Sequence, residues 1–175
     1  MSTKLRANIE LGLNIVVVAA IIVVSGVVVK RYVFPGKQQS PRVAVGEHLN
    51  VPNIDWKQNQ KTLVFFLMEN CFYCESSAPF YRQVIEEASR YNVKILAILP
   101  HPIEASRKYV EHLNLPIENV QTGSFPAFKV PGTPTVLFVD NGGTVRGAWI
   151  GANPGREKQM KDELIGLFNT GSIPR

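Results

Sequence analysis

The sequence has few residues that could hold a metal ion or build a disulfide scaffold. Its 175 residues include only two cysteines and three histidines. A structural zinc site needs about four ligands, and His48, His101 and His112 do not follow the cysteines at a finger-like spacing. A small secreted disulfide scaffold would also need more than two cysteines. We therefore expect neither a metal site nor a fold stapled by disulfides.

Patterns typical of nucleotide and nucleic-acid binding are missing as well. The sequence has no GxGxxG or P-loop motif, and no Ser–His–Asp pattern competes for a catalytic role. Its formal net charge is +5, but the basic residues are scattered, apart from Lys30 and Arg31 beside an apolar run. A basic surface interleaved with aromatic residues is not visible. The sequence thus predicts no nucleic-acid partner and no bound cofactor.

A long apolar run, LGLNIVVVAAIIVVSGVVV, occupies residues 11–29. As a helix rising 1.5 Å per residue it would span about 28 Å, close to the hydrocarbon thickness of a bilayer. The run is longer than the apolar region of a cleaved signal peptide, and no small-residue exit precedes Lys30. We expect an uncleaved single-pass transmembrane anchor at 11–29, after an N-terminal tail at 1–10 and before a linker at 30–42.

The charges on either side of this anchor bear on its orientation. Two basic residues lie in the tail at 1–10 and four lie in the linker at 30–42. The positive-inside rule counts the basic residues near each end of a membrane helix. By this count, the charges slightly favour a cytoplasmic location for the residues that follow the anchor.

Residues 43–175 have the pattern of a globular α/β domain. Short continuous apolar runs at 61–68 and 93–99 are typical of strands buried on both faces. In chain order we predict a strand at 61–68, a helix at 72–91, a strand at 93–99, a helix at 103–113, a strand at 135–139, a hairpin turn at 141–143, a strand at 144–150 and a helix at 154–168. This order indicates a mixed central sheet with helices on both faces.

Cys71 and Cys74 lie directly after the first predicted strand, where the first predicted helix begins. Thiols three positions apart on a helix are neighbours and can close a small disulfide ring. At a helix N-terminus, unpaired N–H groups and the helix dipole stabilise the thiolate that attacks disulfides. We predict Cys71 as the nucleophile and Cys74 as the more buried resolving thiol. Half of a metal site and an inert structural disulfide are the alternatives.

The residues around this motif resemble the thioredoxin superfamily. The segment MENCFYC at 68–74 is followed by Pro79, and the segment VPGTPTVLFVD at 130–140 resembles the cis-proline segment of that superfamily. The second segment is most similar to that of the membrane-anchored TlpA/ResA-like branch. The resemblance extends over residues 43–169.

The resemblance implies a thioredoxin fold and a thiol–disulfide oxidoreductase activity that uses no cofactor beyond the Cys71–Cys74 disulfide. It implies that Thr133–Pro134 is a cis peptide bond packed against the cysteines, with the backbone before Pro134 pairing with a bound substrate strand. Its partners would be protein disulfides or dithiols and a second protein that recycles the cysteines. Anchored relatives usually lie on the extracytoplasmic, periplasmic side, against the charge bias described above.

Three positions depart from the pattern of the superfamily. Asn70 stands where a tryptophan often precedes the first cysteine. Phe65 and Ser77 stand where an acid accepts the proton of the buried thiol in other members. Glu69 and Glu75 are candidate replacements for that acid, and the alternative is that both are solvated charges at the start of a helix.

The immediate neighbours of the cysteines bear on the direction of electron flow. Glu69 and Glu75 flank the motif, and negative neighbours disfavour a thiolate. The intervening residues Phe72 and Tyr73 lack the histidine found in strong oxidants and are expected to offer an apolar docking surface to the substrate. A less stabilised reduced form makes the pair a weaker oxidant, so we predict a reductant of protein disulfides.

Two other functions on the same fold remain open at this point. A peroxiredoxin-like peroxide reductase usually carries Pro-x-x-x-Thr-x-x-Cys, but Met68 stands three residues before Cys71. A non-catalytic interaction module would use the cysteines only as a structural disulfide. His101, between Pro100 and Pro102, is interpreted as a surface loop residue rather than a catalytic base.

Overall fold

A computed structural model describes residues 17–18, 21–25, 43–152 and 154–170 of the protein. The described residues before position 26 are helical. Most of the predicted anchor, and all of the predicted tail at 1–10 and linker at 30–42, lie outside the described residues. No helix within the described ranges is both long and apolar enough to cross a membrane.

The chain divides into two units at residues 39 and 40, and the strands and helices of the second unit follow the predicted order with additions. These elements are α1 (Trp56–Asn59), β1 (Thr62–Phe66), α2 (Phe72–Arg90), β2 (Lys94–Leu99), α3 (Ile103–His112), β3 (Asn119–Thr122), a 3-10 helix (Phe125–Phe128), β4 (Thr135–Val139), β5 (Val145–Ile150) and α4 (Glu157–Thr170). The sequence analysis did not predict α1, β3 or the 3-10 helix.

The five strands form one mixed sheet in the order β3-β2-β1-β4-β5. The inner strands β1 and β2 are parallel, as are β2 and β3, whereas β4 is antiparallel to both β1 and β5. Every residue of β1 is buried, which the uninterrupted apolar run predicted. The predicted mixed α/β sheet is confirmed. Its β3 edge was missed because the segment NVQT is short and largely polar.

The two faces of the sheet are covered differently. Leu63 and Phe65 of β1 pack in one apolar cluster, to which α2, α3 and α4 all contribute. Val64 and Phe66 point the other way, into a cluster covered by the segment from Val43 to Trp56 and by the 3-10 helix. Helices thus flank both faces as predicted, but those on the second face are the short α1 and the 3-10 helix. Because β1, β2 and β3 follow one another in the same direction across the sheet, right-handed crossovers place α2 and α3 on one side.

The hairpin turn between β4 and β5 is fixed by hydrogen bonds and by close packing against the segment from Val43 to Trp56. The Asp140 carboxylate accepts hydrogen bonds from the N–H groups of Gly142 and Thr144, each at 2.9 Å. Gly143 has a φ of 77°, and a Cβ there would lie only 2.7 Å from atoms of His48 and Trp56. Position 143 therefore requires glycine, because the segment from Val43 to Trp56 passes too close to the turn for a side chain.

The last helix begins later than the sequence pattern predicts. We expected its first turn at Pro154, but α4 starts at Glu157. Gly155 adopts a φ of 84°, in the left-handed region, and therefore cannot continue a right-handed helix. The proline belongs to the turn before the helix and not to the helix itself.

A pair of valine substitutions tests how much the β1 core contributes to stability. Val64 is fully buried in the sheet, whereas more than half of the Val45 side chain is exposed. We expect Val64→Ala to lower the free energy of unfolding by about 2 kcal/mol through lost burial and the cavity left behind. Val45→Ala should change it by less than about 0.5 kcal/mol. Urea unfolding midpoints, compared at an unchanged slope, measure both values, and equal midpoints for the two variants would contradict this packing.

Candidate active site

The turn after β1 places Cys71 at the N-terminus of α2. Asn70 adopts a φ of 57°, a left-handed conformation that asparagine tolerates better than most residues. Cys71 then serves as the N-cap of α2, with its Sγ accepting the N–H of Cys74 at 3.1 Å. The free N–H groups and the dipole of the helix thus point at this sulfur. The positive φ gives a physical reason for asparagine at position 70.

Cys71 and Cys74 are joined as a disulfide, with their Cα atoms 5.2 Å apart. Cys71 retains 8% of its surface exposed, whereas Cys74 has none. A protein disulfide approaching from solvent can therefore reach only the first sulfur. The predicted roles, Cys71 as the nucleophile and Cys74 as the resolving thiol, require this difference in exposure.

The loop before β4 brings Thr133 and Pro134 against the cysteines. The Thr133–Pro134 peptide bond is cis, and the Thr133 hydroxyl donates a hydrogen bond to Cys71 Sγ at 3.4 Å. The loop is held from both sides, because the Thr135 hydroxyl donates to the Gly132 carbonyl at 2.8 Å and the Pro134 carbonyl accepts the N–H of Gly151 at 2.7 Å. The predicted residues of the two motifs, 62 positions apart, thus meet at one sulfur.

Exposed apolar side chains flank the cysteine pair. Phe72 is 73% exposed and Tyr73 is 58% exposed, and their rings contact each other edge to face at 5.5 Å. Met68, in the turn before Cys71, is also exposed. Exposed aromatic side chains at these positions can bind an apolar segment of a partner protein.

The two candidate proton acceptors differ in their surroundings. Glu75 lies exposed in the first turn of α2, whereas Glu69 is half-buried and its backbone N–H donates to His101 Nε2 at 3.3 Å. Within the described part of the chain, neither carboxylate is hydrogen bonded to a cysteine sulfur. His101 is half-buried, and its carbonyl accepts the hydroxyls of Ser106 and Thr122. His101 lies in a loop, as interpreted, and in addition its ring accepts the N–H of Glu69 and so supports the turn that carries this residue.

Among the residues that the structure describes, no acid is buried in the interior around Cys74. Phe65 is fully buried, and Ser77 is buried in the second turn of α2 next to the Tyr81 hydroxyl. Burial raises the pKa of Tyr81 to about 12, although the hydrogen bond with Ser77 partly offsets this effect. The Tyr81 phenol therefore stays neutral at physiological pH, and Ser77, which stands at one of the two acid positions, carries no charge.

Sequence reasoning missed Tyr109, on α3. Its side chain is buried in the same apolar cluster as both cysteines, and its hydroxyl lies near the backbone of Cys71. Burial, followed by the negative charge of Glu75, raises the pKa of Tyr109. The signal available in the sequence was a tyrosine at an apolar helical position, between Ser106 and Leu113, where its hydroxyl must enter the interior.

A metal site is not found among the residues that the structure covers. No group of three or more histidine, cysteine, aspartate or glutamate side chains in those ranges is arranged to hold a metal ion.

Comparison with solved structures finds domains of the same fold. A protein assigned as the thiol:disulfide interchange protein DsbE of Chlorobium tepidum has a TM-score of 0.58 and 16% identity, covering 72% of this chain and 99% of that one. The thioredoxin domain of a thiol-disulfide oxidoreductase from Bacteroides vulgatus has a TM-score of 0.53 and 16% identity, covering 69% and 97%. A thiol:disulfide interchange protein from a Bacteroides species has a TM-score of 0.52 and 17% identity, covering 74% and 90%.

Identities this low establish a shared fold and nothing finer. Comparison with curated protein sequences finds no match. The thioredoxin-like domain family, in contrast, matches residues 56–164, which is more than half of the chain and includes both cysteines and Pro134. On this match, and on the fold and site geometry that agree with it, the chain belongs to the thioredoxin-like domain family.

Proposed function

We propose that the protein is a thiol–disulfide oxidoreductase that acts on protein disulfides through Cys71 and Cys74. The observation that carries the proposal is the meeting of the α2 N-terminus and the cis-proline loop at Cys71 Sγ. A disulfide that is reachable at one sulfur and closed off at the other is suited to exchange. The names of the similar solved structures, which refer to thiol–disulfide exchange, support the same activity.

The proposed reaction has two exchange steps. The Cys71 thiolate attacks one sulfur of a substrate disulfide, which forms a mixed disulfide and releases the other substrate sulfur as a thiolate. The Cys74 thiol then loses its proton and attacks Cys71 Sγ, which releases the second substrate sulfur. Two electrons pass from the dithiol to the substrate, and the Cys71–Cys74 disulfide remains. A second dithiol protein would have to return the pair to its reduced form.

Two neutral donors would stabilise the attacking sulfur. The Cys74 N–H and the Thr133 hydroxyl both donate to Cys71 Sγ in the disulfide form. Hydrogen bonds to a charged acceptor are stronger than those to a neutral one, so the same donors would favour the thiolate. Phe72 and Tyr73 would contact the substrate, while the backbone before Pro134 pairs with its extended strand.

We further propose that the pair acts as a reductant. Glu69 and Glu75 are the charged residues nearest the motif in sequence, and no lysine or arginine lies between Lys61 and Arg82. Negative charge near a thiolate raises the free energy of the reduced form and favours the disulfide. Glu69 or Glu75 would accept the proton of Cys74 through water, because neither carboxylate is hydrogen bonded to a cysteine sulfur in the described part of the chain.

The membrane anchor is also part of the proposal. The described apolar side chains at 17–18 and 21–24 are each at least half exposed on helical backbone. Such a surface is stable when lipid covers it, and residues 11–29 have the length that a bilayer requires. We place the domain at 43–175 on the extracytoplasmic side, where disulfide chemistry is most common, despite the basic residues at 30–42.

Replacing the resolving thiol tests the mechanism. We expect Cys74→Ser in the full-length protein to trap partners as mixed disulfides, because the second exchange step is lost while the nucleophile remains. Cys71→Ser is the matched control and should trap none, because Cys74 is not exposed. Non-reducing gel electrophoresis measures the adducts. A Cys74→Ser protein that forms no adduct with disulfide-containing proteins would favour a structural disulfide instead.

The reduction potential tests the proposed direction of electron flow. We expect the Cys71–Cys74 pair of the full-length protein to equilibrate near the value of thioredoxin, about −270 mV. The physical reason is the negative charge on both sides of the motif. Thiol trapping after equilibration in graded thiol–disulfide buffers measures the potential. A value near about −120 mV would make the protein a disulfide donor and contradict the argument from Glu69 and Glu75.

Alkaline extraction of membranes tests the anchor. The full-length protein should remain with the membrane pellet, because the apolar segment at 11–29 cannot be transferred to water without a large cost. A chain that lacks residues 1–29 should be released. A chain that lacks only residues 1–10 is the control and should stay in the pellet. Release of the full-length protein would show that the segment does not span the bilayer.

A further inference from the structure

Tyr109 lies on the side of the redox pair opposite to solvent. It is in the last turn of α3, only 7% of its surface is exposed, and its ring stacks against His112 with centroids 6.4 Å apart. Its neighbours in the apolar cluster include Cys71 and Cys74. The side chain therefore packs behind the active-site turn rather than on the surface that a substrate would meet.

The Tyr109 hydroxyl is buried, and its O–H lacks a hydrogen-bond acceptor among the described residues. The hydroxyl oxygen lies within reach of the Cys71 backbone, which can donate to it. Buried polar groups are nearly always hydrogen bonded, because leaving one unpaired costs free energy. A buried O–H of this kind can donate to any acceptor that comes within its reach when the site rearranges.

We propose that Tyr109 is a positioning residue of the redox site, whose hydroxyl donates a hydrogen bond to Cys71 Sγ once the disulfide has opened. This inference rests on the proposed exchange function of the same site. Opening the disulfide with an external dithiol transfers two electrons and two protons to the sulfurs, and Cys71 then loses one proton to become the thiolate. The thiolate is a strong acceptor that the disulfide sulfur is not.

The geometry allows this contact after a small rearrangement. The hydroxyl lies near the backbone of Cys71, and the nitrogen and sulfur of one cysteine are separated by only three covalent bonds. Once the bond to Cys74 has broken, the Cys71 sulfur can shift within its present rotamer toward the hydroxyl and keep the Cys74 N–H and the Thr133 hydroxyl as donors. Because burial and the charge of Glu75 raise the pKa of Tyr109, the phenol keeps its proton at neutral pH and remains a donor.

The Tyr109→Phe variant tests the proposal, because it removes the hydroxyl and keeps the ring. In the disulfide form it removes an unpaired donor, and in the reduced form it removes a hydrogen bond to the thiolate. Both effects favour the disulfide. We expect the equilibrium constant with glutathione to shift about tenfold toward the disulfide. This shift makes the reduction potential of the Cys71–Cys74 pair more negative by about 30 mV. The pKa of Cys71 should rise, so that its alkylation by iodoacetamide at pH 7 slows several-fold.

Tyr91→Phe is the matched control. Tyr91 follows the C-terminal end of α2, and its ring packs at a tilt against that of Phe168, with centroids 5.8 Å apart. Removing its hydroxyl should leave both the equilibrium constant and the alkylation rate of Cys71 at the values of the unaltered protein. All three proteins should be measured at full length in detergent, with glutathione as the exchange partner and iodoacetamide as the thiol probe.

The outcomes separate this inference from the proposed function. If the unaltered protein exchanges with glutathione and Tyr109→Phe matches Tyr91→Phe in both measurements, the role of Tyr109 is overturned and the exchange function stands. If the unaltered protein does not exchange, both are overturned. Thermal unfolding in each redox state guards against a general folding defect. A hydroxyl that acts only on packing would lower stability equally in both states, whereas the proposed role requires a larger loss in the reduced state.

Discussion

The pairing of Phe66 with Thr135 across the antiparallel strands β1 and β4 fixes the active site. Phe66 is the last residue of β1 and Thr135 is the first of β4, so the turn that leaves one strand lies beside the loop that enters the other. Cys71 belongs to that turn, and Thr133 to that loop. A register shift by one residue would turn the buried side chains of β1 to the opposite face, so the apolar packing on both faces of the sheet also holds the site in place.

The site relies on neutral hydrogen-bond donors and on the helix terminus rather than on a cationic neighbour. Cys71 Sγ receives the Cys74 N–H and the Thr133 hydroxyl, and it caps a helix of 19 residues. The interior positions that carry an acid in other members of the superfamily hold Phe65 and Ser77. In the proposed reaction these uncharged groups would stabilise the Cys71 thiolate, while the charges of Glu69 and Glu75 would act against it.

Much of the fold could be predicted because local signals were strong. The apolar runs of β1, β2 and β4 and the Asn-Gly-Gly turn before β5 lie within a residue or two of their predicted places. The polar strand β3 was missed because an edge strand needs no apolar run. The start of α4 was misplaced because the left-handed conformation of Gly155 is not visible in the sequence. The contact of His101 with the Glu69 N–H was not predicted because the two residues are 32 positions apart.

The sequence by itself determined the two cysteines at helical spacing, the strand before them and the proline segment that follows 60 residues later. Those features depend on local periodicity and on residue type, which a linear pattern records. Only the tertiary structure decided that α2, α3 and α4 share one face, that Thr133 reaches Cys71, and that the buried Tyr109 O–H has no acceptor among the described residues. These are contacts between distant segments, and they depend on strand order, register and burial, which no local pattern contains.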